Sequence, residues 1–241
     1  MRKLSIIIPA YNEQDRIVGT LANTLNYLKC QNFDSEVIVV SDGSEDHTKD
    51  VVLKFRGNKK ISVRVLEYHP NRGKGFAVRY GILRAGGDLL LFMDADYSVP
   101  IEEIEKGIVL IDDGYDIAMG SRTASESTLT CHQSRIRELS ARCYTFIQNC
   151  YLGINYNDTQ CGFKLFKIQA AKELFGKQKL DSVIFDAEIL WLAKQSGYKV
   201  AEFPVQWTHA PDSRIRYDNL GKCIFVFQEL FKIRKIHGKA G

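Results

Sequence analysis

The sequence predicts an α/β protein whose mostly parallel β-sheet is covered by helices on both faces. Over the first 120 residues, apolar runs rich in Val, Ile and Leu alternate with helical patterns. Continuous apolar strands joined by crossover helices are typical of parallel sheets, because both faces of such a sheet are buried. The predicted strands are 3–8, 35–40, 61–67, 88–93 and 115–120, and the predicted helices are 13–29, 45–56, 74–85 and 101–111.

Amphipathic helices dominate the second half of the chain. Residues 134–152 place apolar side chains at spacings of three and four, residues 158–167 are predicted to be a loop that enters a strand, and 185–197 form a helix closed by Gly197. A last helix, about 219–236, has a broad apolar face with basic flanks, which predicts packing on the stripe of 134–152 or contact with an anionic bilayer. The stripe comprises Ile136, Leu139, Cys143, Phe146 and Cys150, and the last helix carries Leu220, Ile224, Phe227 and Phe231, widened by Cys223, Val226, Leu230 and Ile233.

Composition and charge exclude several classes of protein. The net charge is +4, and residues 214–241 alone hold seven Lys and Arg against two acidic residues, so the basic excess lies in the tail. A general nucleic-acid binder would spread that charge, and we therefore expect no nucleic-acid partner. The six cysteines form no CxxC pair, which argues against a zinc site and indicates free thiols in a reducing compartment. No apolar run approaches the ~18 residues of a membrane-spanning helix.

Polar residues follow four of the predicted strands at the point where each strand ends. They stand in the segments Pro9-Ala10-Tyr11-Asn12-Glu13, Ser41-Asp42-Gly43-Ser44, Asp94-Ala95-Asp96 and Gly120-Ser121-Arg122. In open parallel sheets, ligands bind beyond the carboxyl ends of the strands. These segments therefore predict the rim of an active site.

Asp94 and Asp96 are the strongest candidates for a metal site. Residues i and i+2 of an extended chain point to the same side, and two adjacent carboxylates repel unless a cation lies between them. Mg²⁺ and Mn²⁺ prefer oxygen ligands and often share them with substrate phosphates. The alternative is a simple turn with an Asp cap before the helix at 101, just as Asp42 would alternatively close an Asp-Gly turn.

The segment "NRGKG" (71–75) precedes a predicted helix. Its glycines would let a ligand approach the backbone, and a helix N-terminus attracts anions. It matches neither the Walker nor the dinucleotide-binding pattern. Arg72 and Lys74 therefore either contact a ligand or are solvated.

Seven motifs in order, "SIIIPAYNE", "VVSDGS", "NRGKG", "DADY", "GSR", "DTQCGFK" and "FDAEIL", resemble those of family 2 glycosyltransferases with the GT-A fold. The segments "NRGKGFAVRYGIL", "DTQCGFKLF" and "FDAEIL" are most similar to the dolichyl-phosphate β-glucosyltransferase branch, and the resemblance covers about residues 3–210. It implies an inverting transfer from a nucleotide sugar, UDP-glucose, with Mg²⁺ or Mn²⁺ held at Asp94 and Asp96. The residues expected at the nucleotide are Pro9, Ala10, Tyr11, Glu13, Asp42, Arg72, Lys74, Asp94 and Ala95.

The acceptor decides which catalytic groups are needed. An alcohol needs a general base, whereas a lipid monophosphate with a second pKa near ~6 is already anionic at pH 7 and needs positioning by arginine. Arg122, Arg135 and Arg137 are the candidates, with Gln160 on the acceptor side, and the alternative is that the arginines are solvated. By resemblance Asp186 is the base or acceptor-side carboxylate, and the alternative is a carboxylate that stabilises a helix N-terminus.

These observations together predict a single GT-A domain that acts at a membrane surface. Residues 1–120 would hold the nucleotide sugar, 121–210 the acceptor, and 211–241 a basic amphipathic tail. The protein would transfer glucose to a polyprenyl phosphate as a peripheral enzyme on the cytoplasmic face of a membrane, or in the cytoplasm. Alternatives are another donor such as GDP-mannose, a hydroxyl acceptor on a polysaccharide or protein, or a non-catalytic nucleotide-binding module.

Overall fold

The structure is a computed structural model that describes residues 2–123, 128–129, 135–208 and 220–238, without the side chains of 128–129, 135–142, 220, 222 and 223. The strands are β1 Leu4–Ala10, β2 Ser35–Asp42, β3 Ile61–Tyr68, β4 Leu89–Met93, β5 Ile117–Ser121, β6 Thr128–Leu129, β7 Phe163–Lys167, β8 Val200–Pro204 and β9 Gln206–Trp207. The helices are α1 Ile17–Lys29, α2 Thr48–Leu53, α3 Lys74–Arg84, α4 Ile104–Asp112, α5 Arg135–Leu152, α6 Ile168–Lys177, α7 Phe185–Gln195 and α8 Leu220–Ile236, with a 3₁₀ turn at Ile101–Glu103.

Seven strands form the main sheet, in the order β3-β2-β1-β4-β7-β5-β8. All neighbouring pairs are parallel except those of β7, which runs antiparallel to both β4 and β5. β6 and β9 form a separate parallel pair. The predicted mostly parallel sheet is confirmed, and the antiparallel β7 makes it a mixed sheet.

Alternation of side chains along the buried strands divides the core into two layers. Ile7 and Phe92 lie in the layer shared with α3, α6, α7 and α8. Ile6 and Leu91, one residue earlier on the same strands, lie in the opposite layer with α1 and α4. Each strand therefore buries both of its faces, which is why its sequence is continuously apolar.

The five strands predicted in the first half are all present, but α1 begins four residues later than predicted. The backbone N–H groups of Asn12, Glu13 and Gln14 donate to side chains of the β2–α2 loop rather than entering a helix. The chain then makes a turn in which the carbonyl of Glu13 accepts from Arg16 and Ile17. The prediction that Glu13 opens the helix is wrong, because these tertiary hydrogen bonds compete with helix formation.

The apolar stripe predicted on α5 does not face the core. Cys143 and Cys150 are exposed, and Phe146 is 69% exposed. α5 instead meets α8 through two tyrosines, with Tyr144 edge-on to Phe227 and Tyr151 edge-on to Phe231. The side chains of Ile136 and Leu139 lie outside the described residues.

The face that α8 buries also differs from the predicted one. Val226, Leu230 and Ile233 are buried, whereas Ile224 and Phe231 are 48% and 42% exposed. In the described part of the chain, no helix is long and apolar enough to cross a membrane.

We predict that Gly75→Ala destabilises the fold, because a Cβ there would lie 2.7 Å from the carbonyl oxygen of Ser182 and 2.8 Å from that of Leu180. Both obstacles are backbone atoms, so we expect a loss of about 1–3 kcal/mol in the free energy of unfolding. Gly176→Ala is the matched control, since a Cβ there meets nothing within 4 Å, and it should stabilise the protein by about 0.4–1 kcal/mol. Urea unfolding measures both, and equal changes in the two variants would contradict the packing argument.

Candidate active site

The carboxyl ends of β1, β2, β4 and β5 lie at one edge of the sheet. The register pairs Pro9 with Val40 and Ile7 with Phe92, so the segments after β1, β2 and β4 leave the sheet side by side. β5 runs in the same direction, because β7 lies antiparallel between β4 and β5. The four predicted rim segments therefore share this edge.

The loops after β1 and β2 are interlocked. Asn12, in a left-handed conformation with φ of 54°, accepts hydrogen bonds at Oδ1 from the backbone N–H of Glu45 (2.8 Å) and Asp46 (3.4 Å). In return, the N–H of Glu13 donates to Oγ1 of Thr48 at 2.8 Å. The polar residues of "PAYNE" thus hold the two loops at a fixed separation.

The residues of the first loop that were predicted to bind the nucleoside differ in how exposed their side chains are. Tyr11 is 38% exposed, whereas Ala10 is buried and Pro9 half-buried. The carboxylate of Glu13 is buried and pairs with Arg16, whose Nη2 lies 2.5 Å from Oε1. Tyr11 is therefore the side chain of this segment that is open to a ligand.

Asp42 anchors the "NRG" segment to the end of β2. Its carboxylate accepts hydrogen bonds from the N–H of Arg72 (2.7 Å), the N–H of Gly73 (2.9 Å) and Nδ2 of Asn71 (3.1 Å). Gly43 gives the loop room, because a Cβ there would lie 2.4 Å from the nitrogen of Asn71. Asp42 shapes the wall of the site.

Lys74 brings a positive charge to the first aspartate of "DAD". Its Nζ lies 2.7 Å from Oδ1 of Asp94. Burial alone would lower the pKa of Lys74, but Asp94, Asp186 and Asp96 raise it above the usual value, so the ammonium is retained. Gly162 makes room for this carboxylate, since a Cβ there would lie 2.0 Å from Oδ2 of Asp94.

The second aspartate is held by its own turn. Oδ1 of Asp96 accepts hydrogen bonds from the N–H (3.0 Å) and Oγ (2.6 Å) of Ser98. Between the two aspartates, the carbonyl of Ala95 accepts a hydrogen bond from Thr20 at 2.6 Å, which fixes the segment on α1.

The residues fit a divalent cation that is completed by a ligand. Within the described part of the chain, no group of three or more His, Cys, Asp or Glu residues could hold a metal by itself. Asp94 and Asp96 offer carboxylate oxygens, and a cation that takes one or two carboxylates together with substrate phosphates is the usual arrangement for Mg²⁺.

A fully buried ion pair lies behind this rim. Nζ of Lys164, on β7, lies 2.6 Å from Oδ1 of Asp186, on α7, and also donates to the carbonyl of Cys161. The two side chains are 1% and 2% exposed. Burial raises the pKa of Asp186 although Lys164 and Lys74 oppose this shift.

A third ion pair lies where β5 ends. The guanidinium of Arg122 donates from Nε (2.7 Å) and Nη2 (2.8 Å) to the two oxygens of Asp158, and the N–H of Arg122 donates to the same carboxylate. Burial raises the pKa of Asp158, but Arg122 outweighs this effect and the pKa is lowered. Trp207 lies beside the guanidinium, at 5.7 Å from its ring centre.

Gln160 and Cys161 follow Asp158 in sequence. Nε2 of Gln160 is buried and has no hydrogen-bond partner among the described residues, so it could donate to a ligand. Cys161 is buried, and burial raises the pKa of its thiol to about 12, which agrees with packing and not with a nucleophile.

Other predicted residues point elsewhere or fall outside the description. Arg72 stacks on Phe76 at 3.5 Å and reaches Asp181. The side chains of Arg135 and Arg137 lie outside the described residues, although both positions belong to α5.

The sequence reasoning missed three residues of this edge: Asp158, Gly162 and Lys164. Lys164 had a signal, because a lysine inside the apolar run "CGFKLF" must find a buried partner. Asp158 and Gly162 had none, since each depends on a residue more than thirty positions away.

A mostly parallel sheet with one inserted antiparallel strand, and an Asp-Ala-Asp segment at its carboxyl edge, define a glycosyltransferase of the GT-A type. The family described as glycosyl transferase family 2 matches residues 5–175, and the chain belongs to that family.

Relatives and solved structures agree with this assignment. A Drosophila melanogaster protein named dolichyl-phosphate beta-glucosyltransferase is 39% identical over 229 residues, which cover 88% of this chain and 69% of the relative. A human protein of the same name is 36% identical over 230 residues, covering 89% of this chain and 70% of the relative. The structure of Mycobacterium tuberculosis glucosyl-3-phosphoglycerate synthase in complex with Mn²⁺, UDP-glucose and phosphoglyceric acid superimposes with a TM-score of 0.65 at 17% identity, over 96% of this chain and 78% of that one. At that identity, the likeness shows a shared fold.

We predict that Lys164 and Asp186 are coupled in stability. Asp186→Asn leaves a buried ammonium without its counterion, and we expect it to cost about 3–5 kcal/mol in the free energy of unfolding. The double variant Lys164→Met/Asp186→Leu removes both charges and should recover most of that loss. Urea unfolding of Lys164→Met, Asp186→Leu and the double variant measures the coupling energy, and additive losses would contradict a buried pair.

We also predict that Cys161 resists alkylation in the native state. Its thiol is buried and stays protonated at pH 8, whereas Cys30, Cys143 and Cys150 are exposed. Iodoacetamide labelling at pH 8, followed by peptide mass spectrometry, should modify those three and leave Cys161 intact until denaturant is added. Rapid labelling of Cys161 in the native protein would overturn its assignment to the core.

Proposed function

We propose that this protein transfers glucose from UDP-glucose to a polyprenyl phosphate of the dolichyl type, with inversion and with Mg²⁺ or Mn²⁺. The observation that carries the proposal is the pair Asp94 and Asp96, with Lys74 beside it, at the carboxyl edge of the sheet. The names of the relatives that are more than one third identical supply the sugar and the dolichyl phosphate, and UDP is proposed as the nucleotide because a neighbour of the same fold holds UDP-glucose.

On the donor side, Asp94 and Asp96 would hold the cation, and Lys74 would stand beside the donor diphosphate. When bound, the cation neutralises the charge that develops on the leaving diphosphate. Tyr11, at the exposed end of β1, would contact the nucleoside, while Glu13 and Asp42 hold the loops around it. Pro9, Ala10, Ala95 and Arg72 complete the donor surface in this proposal.

On the acceptor side, Arg122 is the candidate for the lipid phosphate. Asp158 takes up Nε and Nη2 of the guanidinium, which fixes its plane and leaves Nη1 to point at an anion. Gln160 would donate its unpartnered Nε2 to a sugar or phosphate oxygen. Arg135 and Arg137, at the start of α5, are proposed as further phosphate contacts.

The state of Asp186 favours a phosphate acceptor over an alcohol. A phosphate arrives deprotonated at pH 7 and needs no base. One oxygen of Asp186 is held by the buried ammonium of Lys164, which opposes proton uptake. In this proposal, Asp186 keeps Lys164 in place and adds negative charge behind Lys74.

A hydroxyl acceptor is the second candidate, and one observation favours it. Burial raises the pKa of Asp186, and a raised pKa is what a general base needs. In that case, activity would depend on Asp186 far more steeply than stability does.

These proposed roles assign a function to each part of the chain. Residues 1–120 would bind the nucleotide sugar, residues 121–210 the acceptor, and residues 211–241 would serve as a basic tail. A lipid acceptor places the enzyme at a membrane surface, and we propose the cytoplasmic face, where nucleotide sugars and a reducing environment for free thiols are found together.

We predict that the purified protein transfers label from UDP-[¹⁴C]glucose to a short polyprenyl phosphate in the presence of Mn²⁺, measured as label extracted into organic solvent. EDTA should abolish the transfer, and Asp96→Asn should lower it by about 100-fold or more, because a catalytic cation stabilises charge by several kcal/mol. Asp34→Asn, an exposed acid at the opposite edge of the sheet, is the matched control and should retain full activity.

Other results of this assay would revise the proposal. Transfer from GDP-mannose alone would replace the donor, and transfer that resists EDTA would remove the cation. If UDP binds but no label reaches the lipid, the acceptor is wrong, and Lys164→Met/Asp186→Leu becomes the variant to test against hydroxyl acceptors.

A further inference from the structure

The outward face of α8 carries large apolar and basic side chains together. Ile224, Phe225 and Phe231 are 48%, 47% and 42% exposed. Lys235 lies opposite the buried Val226, Leu230 and Ile233, and the exposed Lys232 and Arg234 flank this side of the helix. A helix that only packed on its own core would turn polar residues outward.

The charge of this face has one sign. Glu229 is the acidic residue in the described part of α8, and it is buried against the protein, where it accepts a hydrogen bond from Ser182 at 3.0 Å. Its other oxygen lies 2.5 Å from Nζ of Lys232, so the positive charge that Glu229 does not offset comes from Arg234 and Lys235. The outward face therefore combines exposed aromatic and aliphatic groups with positive charge and no outward carboxylate among the described residues. That combination is complementary to an anionic bilayer surface.

We propose that this face, defined by Ile224, Phe225, Phe231 and Lys235 with Lys232 and Arg234 at its borders and named the α8 face, docks the enzyme on an anionic membrane. The choice of a lipid surface over a protein partner rests on the proposed lipid-phosphate acceptor. The neighbouring helix α5 presents a further apolar side chain, Phe146, which is 69% exposed.

The inward side of α8 is tied to the segment that supports the donor loop. His237, just after α8, lies 2.6 Å from the buried Glu188 of α7, and Tyr151 of α5 donates to the carbonyl of Phe231. Ser182, which Glu229 binds, is the residue whose carbonyl would meet a Cβ on Gly75, next to Lys74. A membrane bound to the α8 face is therefore held in a fixed orientation relative to the donor loop.

The test is co-sedimentation of the full chain with vesicles of phosphatidylcholine, with or without phosphatidylserine. We expect binding to the anionic vesicles, and Ile224→Gln/Phe225→Gln should weaken it by about tenfold or more. Lys235→Gln, which leaves the Lys232–Glu229 pair intact, should weaken binding to anionic vesicles by about fivefold and leave binding to neutral vesicles unchanged. The matched controls are Leu83→Gln/Val109→Gln, which are exposed apolar residues elsewhere, and Lys59→Gln/Lys60→Gln, and both should bind like the unaltered protein.

The inference is overturned if the unaltered protein does not bind vesicles, or if the α8-face variants bind like the controls. It is also overturned if light scattering shows a dimer that Ile224→Gln/Phe225→Gln dissociates, because a second copy would then cover the face. Glucose transfer to detergent-dispersed polyprenyl phosphate separates the two proposals. Transfer without vesicle binding would contradict the docking proposal and support the proposed function. Vesicle binding without transfer would contradict the proposed function and support the docking proposal.

Discussion

Three ion pairs at the carboxyl edge of the sheet hold the site together: Lys74–Asp94, Lys164–Asp186 and Arg122–Asp158. They form one electrostatic unit, because Asp186 is influenced by both lysines and by Asp94, and Asp158 by both Arg122 and Lys164. For the fully buried Lys164–Asp186 pair, removing one charge leaves its partner buried and uncompensated, which costs far more than the pair itself contributes.

The pairs also join elements that are distant in sequence. Lys74 connects the start of α3 to the end of β4, Lys164 connects β7 to α7, and Arg122 connects β5 to the loop before β7. The antiparallel β7 is thereby bound to the parallel half of the sheet through side chains as well as through its backbone. The geometry around Asp94 and that around Arg122 depend on each other for this reason.

The sequence predicted the parts of the fold that depend on local pattern. The five apolar strands of the first half were recognised because both faces of the sheet are buried, and Asp94, Asp96 and Arg122 were recognised because they follow strand ends. Glu188, two residues after Asp186 on α7, points away from it and accepts hydrogen bonds from the N–H groups of Lys179 and Leu180. The start of α1, the partner of Arg122 and the direction of β7 were not predictable, because each depends on hydrogen bonds or pairing between distant segments.

The helices α5 and α8 are cases in which hydrophobic periodicity does not predict the buried face. Their apolar residues are spread around much of the helix, so spacing alone does not select the face that is buried. On α5 the tyrosines turn inward, because an aromatic ring can pack while its hydroxyl reaches a carbonyl, as Tyr151 does at Phe231. The residues with the clearest stripe, Cys143, Phe146 and Cys150, remain outside.

The setting of Asp186 connects the electrostatics to the chemistry. A base must exchange a proton during each turnover, and the partner that stabilises its charged form, Lys164, makes proton uptake harder. A fixed carboxylate has the opposite requirement, since it must stay charged while a diphosphate and an acceptor phosphate come together nearby. Asp186 is ion-paired with Lys164 and interacts electrostatically with Lys74, so it helps to keep two ammonium groups in place near Asp94. Such an arrangement suits a reaction in which two anionic substrates must be brought together, whereas the raised pKa of Asp186 is the feature that would serve a reaction in which an alcohol is deprotonated.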